Sequence, residues 1–181
     1  MPRLFLAVPL PAEIKNTLAQ EVGQLKNLLP DWRVKWVAPE NLRITLIFFG
    51  EIKEEQIHDL KDGIAKTVRD FSSFEISTGG LAGEGRPIWL EIKNGQKELT
   101  RLFQKLAEAL TIKGSAEEDR PFHSHLTLGR IKKRGKIPLP QLKRAFSWRV
   151  KRLKIFESQL RRTGPTYTPR AGFELARKKL P

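Results

Sequence analysis

The sequence predicts an α+β fold made of two β-α-β lobes of similar build. Three observations carry that expectation. Short apolar or β-branched runs alternate with stripes of apolar residues at helical spacing. The order strand, helix, strand occurs in both halves at a measurable register: Leu4 to Ile88 is 84 residues, and Thr45 to Thr127 is 82. No Gly/Ser-rich or charged linker separates the halves, so they are lobes of one 181-residue unit, roughly 1–80 and 81–181. An approximate two-fold relation would let strands exchange between them.

Each element follows from its own pattern. Arg3–Val8 (RLFLAV) is an apolar run ending at Pro9 and Pro11, where a strand stops and a helix begins. Ile14, Leu18, Val22, Leu25 and Leu29 recur at steps of 4, 4, 3 and 4, one helical stripe closed by Pro30-Asp31. VKWV and LRITLIFFG read as strands with Pro39-Glu40-Asn41 as the turn between them. Ile57, Leu60, Ile64 and Val68 form a second stripe ahead of the strand FEIS. The glycines from Gly79 to Gly85 mark a turn crossing between the halves, without the Lys-Ser/Thr ending of a phosphate-binding P-loop. In the second half Ile88–Ile92 is a strand, Leu99, Leu102, Leu106 and Leu110 mark a helix, and FHSHLTLGRI is a strand. A short helix over 139–146 and strands over 150–156 and 167–175 complete the chain. Trp32, Trp36, Trp89 and Trp148 read as core or lobe-interface anchors.

Composition narrows the function. With 39% hydrophobic and 30% charged residues and no low-complexity stretch, the chain is globular rather than disordered, collagen-like or a coiled coil. It has no cysteine, which removes a disulfide framework, a thiolate metal site and a cysteine nucleophile. No apolar run reaches the roughly 18 residues of a membrane span, and MPRLFLAVPL lacks the apolar core of a signal peptide, so a cytoplasmic protein is expected. The net charge of +14 is localised: residues 1–129 hold 17 Lys/Arg against 18 Asp/Glu, and residues 130–181 hold 17 against 2. A field that concentrated draws polyanions, which makes RNA, DNA or an acidic surface the leading partner class; a solvated basic face is the alternative.

Two short pieces occupy the same place in each half: Arg43-Ile44-Thr45-Leu46 and His125-Leu126-Thr127-Leu128. Side chains on a strand alternate, so Arg43 shares a face with Thr45 and His125 with Thr127. The intervening Ile44, Leu46, Leu126 and Leu128 then point into a helix-covered core. Lobes packed with these strands side by side would converge two basic groups and two hydroxyls on one cleft, a donor set suited to a phosphate. A single such pair is ordinary in a strand. Its repetition at equivalent positions is not a requirement of packing.

On these residues the chain resembles the 2H phosphoesterases, specifically the LigT/ThpR-like RNA 2′,3′-cyclic phosphodiesterases. The resemblance runs through RLFLAVPLP, WVAPENLRITLIFFGE, RPFHSHLTLGR and IFESQLRRTGPTYTP, four ordered blocks covering nearly the whole chain. It implies a bilobal α+β fold with a cleft between two antiparallel sheets. It also implies metal-independent, cofactor-free chemistry that opens a terminal 2′,3′-cyclic phosphate on RNA to a 2′-phosphomonoester. Some members join tRNA halves through a 2′-5′ linkage, a near-reversal of that step. An RNA-processing monomer acting on single-stranded or tRNA ends is therefore expected.

The resemblance assigns roles residue by residue. His125 matches the histidine that accepts a proton, and Thr45 and Thr127 match the threonines that hold the phosphate. Arg43 stands where the family has its proton-donor histidine. A guanidinium is effectively never deprotonated near neutrality and is a poor donor, although it binds phosphate and offsets transition-state charge. Losing a positioned general acid typically costs about 10²- to 10⁴-fold in rate, so an impaired enzyme is expected, or an RNA-end binding protein with little turnover. A general basic nucleic-acid binder with a vestigial cleft is a third reading.

His123 lies two residues before His125 and reads as a rim or substrate-contacting residue. His58 reads as a solvated surface residue. Phe48 and Arg130 each follow their threonine by three residues and are candidates for substrate contact, the ring through base stacking and the guanidinium through phosphate. Core packing is the other reading for Phe48. The run Lys132 to Lys136 is a candidate backbone-contacting loop. No metal shell is evident around His123 and His125.

Overall fold

The first strand is apolar at nearly every position, which is how a strand covered on both faces reads. In a computed structural model describing residues 1–83, 86–110, 122–132, 139–142, 144–162 and 164–177, β1 (Arg3–Pro9) lies inside a four-stranded sheet. Leu4, Leu6 and Val8 enter the core, whereas the Phe5 ring packs among Phe48, Phe156 and Tyr167. Helix α1 (Ala12–Leu28) follows and buries Leu18, Val22 and Leu25. It also buries Glu21, which the apolar spacing did not mark; Arg144 pairs with its carboxylate at 3.5 Å. Next come β2 (Val34–Trp36), a 3-10 turn at Pro39–Asn41, β3 (Arg43–Glu51), α2 (Ile57–Arg69) and β4 (Phe74–Gly83). The rest is β5 (Pro87–Asn94), α3 (Gln96–Ala109), β6 (His125–Ile131), β7 (Ser147–Val150), β8 (Arg152–Arg161) and β9 (Gly164–Glu174).

The strands form two antiparallel sheets ordered β3-β1-β8-β9 and β2-β6-β5-β4-β7. The 84-residue repeat is visible in that order. β1 and β5 are equivalent inner strands, β3 and β6 flank them, β8 and β4 pair on their other side, and β9 and β7 form the far edges. β2 is an addition at the edge beside β6. The sheets do not coincide with the chain halves. β2 and β4 come from the first 83 residues and complete the sheet of β5 and β6, whereas β8 and β9 complete the sheet of β1 and β3. A single apolar cluster includes Leu4, Ile44, Leu90, Leu102, Leu126 and Leu153 and so draws on every part of the chain.

Several expectations are corrected. The segment Gly79–Gly83 continues β4 and leads into an antiparallel hairpin with β5 rather than crossing between lobes. Its ladder is irregular between Ser77 and Leu81, where glycines tolerate bulged backbone. The described residues of 139–146 are not helical. The expected strand over 150–156 is divided between the sheets: Val150 ends β7, in which Trp148 and Val150 are buried, and 152–156 open β8. The strand holding the second motif starts at His125, so Phe122 and His123 precede it.

The basic excess also divides between the sheets. β7 is the edge of one sheet, and β9, beside β8, is the edge of the other. Charged edges discourage pairing with foreign strands. Arg149, Arg152 and Arg170 pair with Glu75, Glu174 and Glu157 at 2.7, 3.2 and 3.2 Å. Among the described residues no helix is long and apolar enough to cross a membrane.

Candidate active site

The two motifs fall on equivalent strands facing one another across a cleft of about 1010 Å³. Ile44, Leu46, Leu126 and Leu128 are all at most 1% exposed, which turns the alternate residues Arg43, Thr45, His125 and Thr127 into the cleft. Phe48 and Arg130 line it too, although residues three apart on a regular strand face opposite sides. A bulge resolves the conflict in each motif. On β3, Ala7 pairs with Thr45 but Leu6 pairs with Ile47, so Leu46 is the extra residue. On β6, Trp89 pairs with Thr127 but Ile88 pairs with Gly129, so Leu128 is the extra residue. One inserted residue reverses the alternation downstream and brings Phe48 and Arg130 to the face of the threonines.

Close packing fixes the second motif in place. Val37 N–H donates to the Leu128 carbonyl at 2.8 Å, and Val34 and Trp36 lie over Gly129 so closely that a Cβ there would sit 2.8 Å from Val34 Cγ1. The His125 Nδ1–H donates to the His123 carbonyl at 2.8 Å, so in the neutral ring Nε2 is the acceptor. The His125 ring is edge-on to Trp89, centroids 6.0 Å apart, and 6.1 Å from the His123 ring. His123 therefore reaches the cleft from the loop ahead of β6, and its backbone sets the tautomer of His125.

Arg43 is held differently. Its guanidinium carbon lies 3.7 Å from the centroid of the Tyr167 ring, 4.7 Å from Phe5 and 5.3 Å from Phe156. Burial pushes its pKa down to about 10, with Tyr167 opposing the shift, so it remains a cation at neutral pH. Phe48 is 51% exposed and its ring is 5.7 Å from Phe5, which gives it an open face over the cleft. Arg130 is exposed and pairs in register with Lys35, another cleft residue.

All seven residues singled out in the sequence line this one cleft: Arg43, Thr45, Phe48, His123, His125, Thr127 and Arg130. Trp36 and Trp89, expected as anchors, also line it, whereas Trp148 is buried in the core. Sequence reasoning missed Tyr167, the single tyrosine in the chain, and the Phe5-Phe156 platform beneath Arg43. Strand alternation within PTYTP was the available signal. His58 is on the surface, 3.5 Å from Asp62. Residues 133–136 of the basic loop lie outside the described residues. Among the described residues no three His, Asp or Glu side chains cluster as metal ligands.

Residues 11–162 match the model of the 2′-5′ RNA ligase superfamily. The chain belongs to that family, the 2H phosphoesterases. It is 30% identical to an RNA 2′,3′-cyclic phosphodiesterase of Thermotoga maritima over 91% of each chain. It is 32% identical to one of Archaeoglobus fulgidus over 95% of this chain and 99% of the other. Among solved structures, Escherichia coli LigT complexed with 3′-AMP superposes with a TM-score of 0.85 at 27% identity, covering 97% of this chain and 99% of LigT. The bilobal α+β architecture with two antiparallel sheets is thus that of a 2H phosphoesterase, and the chain is a hydrolase of that family.

Proposed function

We propose that this phosphoesterase hydrolyses a terminal 2′,3′-cyclic phosphate on RNA to a 2′-phosphomonoester, and that Arg43 makes it slow. The observation carrying this reading is the convergence of His125, Thr127, Arg43 and Thr45 on one cleft from two equivalent strands. His125 Nε2 takes a proton from the attacking water, and the bond between water oxygen and phosphorus forms. The Thr45 and Thr127 hydroxyls donate to the non-bridging oxygens, and the Arg43 cation offsets the charge that builds on five-coordinate phosphorus. The bond to the 3′ oxygen then breaks. That oxygen needs a proton, which a guanidinium held as a cation does not readily give. The relatives' names, the exposed ring of Phe48 and the presence of Arg130 in the same cleft support a single-stranded RNA end as substrate.

The test is incubation of a short RNA ending in a 2′,3′-cyclic phosphate, with the product identified. The expected product is the 2′-phosphate, formed slowly, and His125→Ala lowers the rate by about 10²-fold or more. A 3′-phosphate product, or an unchanged rate in His125→Ala, overturns the reading. The absent donor histidine favours a second reading, an RNA-end binding protein with negligible turnover. That reading holds if RNA binding depends on the terminal phosphate while no product forms.

A further inference from the structure

We propose that Tyr167 is the proton donor of this site, supplying from its phenol the proton that Arg43 cannot give. The inference rests on the cyclic-phosphodiesterase reading above. In-line displacement at phosphorus puts the attacking and leaving oxygens on opposite sides. His125 serves the attacking water from the β6 wall, so the donor belongs on the wall formed by β3 and β9. Among the described residues, the N–H or O–H side chains lining the cleft from that side are Asn41, Arg43, Thr45, Thr166 and Tyr167, and Lys35 of β2 brings its ammonium to 3.6 Å from the Cβ position of Gly164. Amides and alcohols are too weakly acidic for the task, and the guanidinium keeps its proton. Of the phenol and the ammonium, the phenol is the one stacked against Arg43.

Its placement suits the role. The Tyr167 ring is half-buried and stands edge-on to Phe5 at 5.3 Å, which holds it in one orientation. Arg43 covers its face at 3.7 Å, so the ring occupies the space in front of the position where the family carries its donor. The adjacent cation stabilises the phenolate left after donation. The step balances: the P–O3′ bond breaks with its electron pair on O3′, which takes the phenolic proton and becomes a hydroxyl. The enzyme is left with a protonated His125 and a Tyr167 phenolate. Transfer of that proton through solvent restores both.

The experiment compares the unaltered protein, Tyr167→Phe, Arg43→His and the double variant on an RNA ending in a 2′,3′-cyclic phosphate. Phenylalanine keeps the ring over Arg43 and removes only the hydroxyl. Tyr167→Phe is expected to lower kcat by about 10²-fold or more, whereas in the Arg43→His background, where an imidazole donates, the loss is under about tenfold. On a 4-nitrophenyl phosphodiester, whose leaving group needs no proton, Tyr167→Phe is expected to stay within about threefold of the parent. Little loss on the cyclic phosphate, equal losses in both backgrounds, or an equal loss on the nitrophenyl ester overturns the proposal and makes Tyr167 a packing residue. Absence of turnover in both the unaltered protein and Arg43→His overturns the phosphodiesterase reading itself, and this proposal with it.

Discussion

Arg43→His exchanges a cation that cannot donate for an imidazole that can, and the structure sets two effects in opposition. Position 43 shares the cleft with Thr45 and lies across from His125 and Thr127, so an imidazole there reaches the donor's station. A positioned general acid contributes about 10²- to 10⁴-fold, or roughly 3–5 kcal/mol of barrier, and the Tyr167 phenol already supplies part of it. With about 10²-fold already supplied by the phenol, the rate increase should be about 10- to 10²-fold. Stability moves the other way. The guanidinium stacks on Tyr167 at 3.7 Å with Phe5 and Phe156 close by, contacts worth roughly 1–2 kcal/mol that an imidazole cannot reproduce. Relief of Arg43's burial offsets part of that loss. A net cost of about 1 kcal/mol lowers Tm by about 2–4 °C for a chain of this length.

The pH profile distinguishes the mechanism from a mere change in packing. Arg43 is fully charged below its pKa of about 10, and its electrostatic help is lost as pH rises through that value. The unaltered protein should therefore stay active well above neutrality. An imidazole donor ordinarily titrates near 6.5, so the alkaline limb of Arg43→His should move down by about three pH units. Steady-state kinetics on a cyclic-phosphate RNA from pH 5 to about 10.5, with thermal denaturation alongside, checks both effects. A rate unchanged by Arg43→His, or an alkaline limb that stays in place, refutes the account of position 43.

Phe48→Ala should weaken binding of an RNA end by about 1–3 kcal/mol, roughly 5- to 150-fold by fluorescence titration, because the ring faces the cleft as a stacking surface. Its melting temperature should change little, since the side chain is half exposed. Arg130→Ala should reduce the slope of log affinity against log salt by about 0.7, the signature of one phosphate contact to a single strand. Gly129→Ala places a Cβ 2.8 Å from Val34 Cγ1 and 3.3 Å from the Lys35 carbonyl oxygen, an overpacking that should cost about 1–3 kcal/mol in denaturant titrations. A neutral result there would mean that β2 is not seated on β6 as described.

The alternation of buried and cleft-facing residues in Arg43–Leu46 and His125–Leu128 was legible in the sequence, because a period of two on a half-buried strand is a local property. So were the helices, whose stripes at 14–29, 57–68 and 99–110 became buried faces of α1, α2 and α3. The repeat register was legible too, since equivalent elements keep equivalent spacing. The arrangement of those elements was not. That β8 and β9 join β1 and β3, while β2 and β4 join β5 and β6, depends on pairings between residues as far apart as Arg3 and Ser158, and strand pairing leaves no periodic trace in either partner. The bulges at Leu46 and Leu128 were equally hidden. Each is a mismatch in count between two strands, and no single strand records it, yet they decide that Phe48 and Arg130 face the site. The sequence by itself determined which residues of the two motifs share a strand face and that position 43 lacks an imidazole. Only the tertiary structure decided what surrounds that arginine: a phenol arriving from β9, 124 residues away, because a side chain's partners are set by long-range packing rather than by its neighbours along the chain.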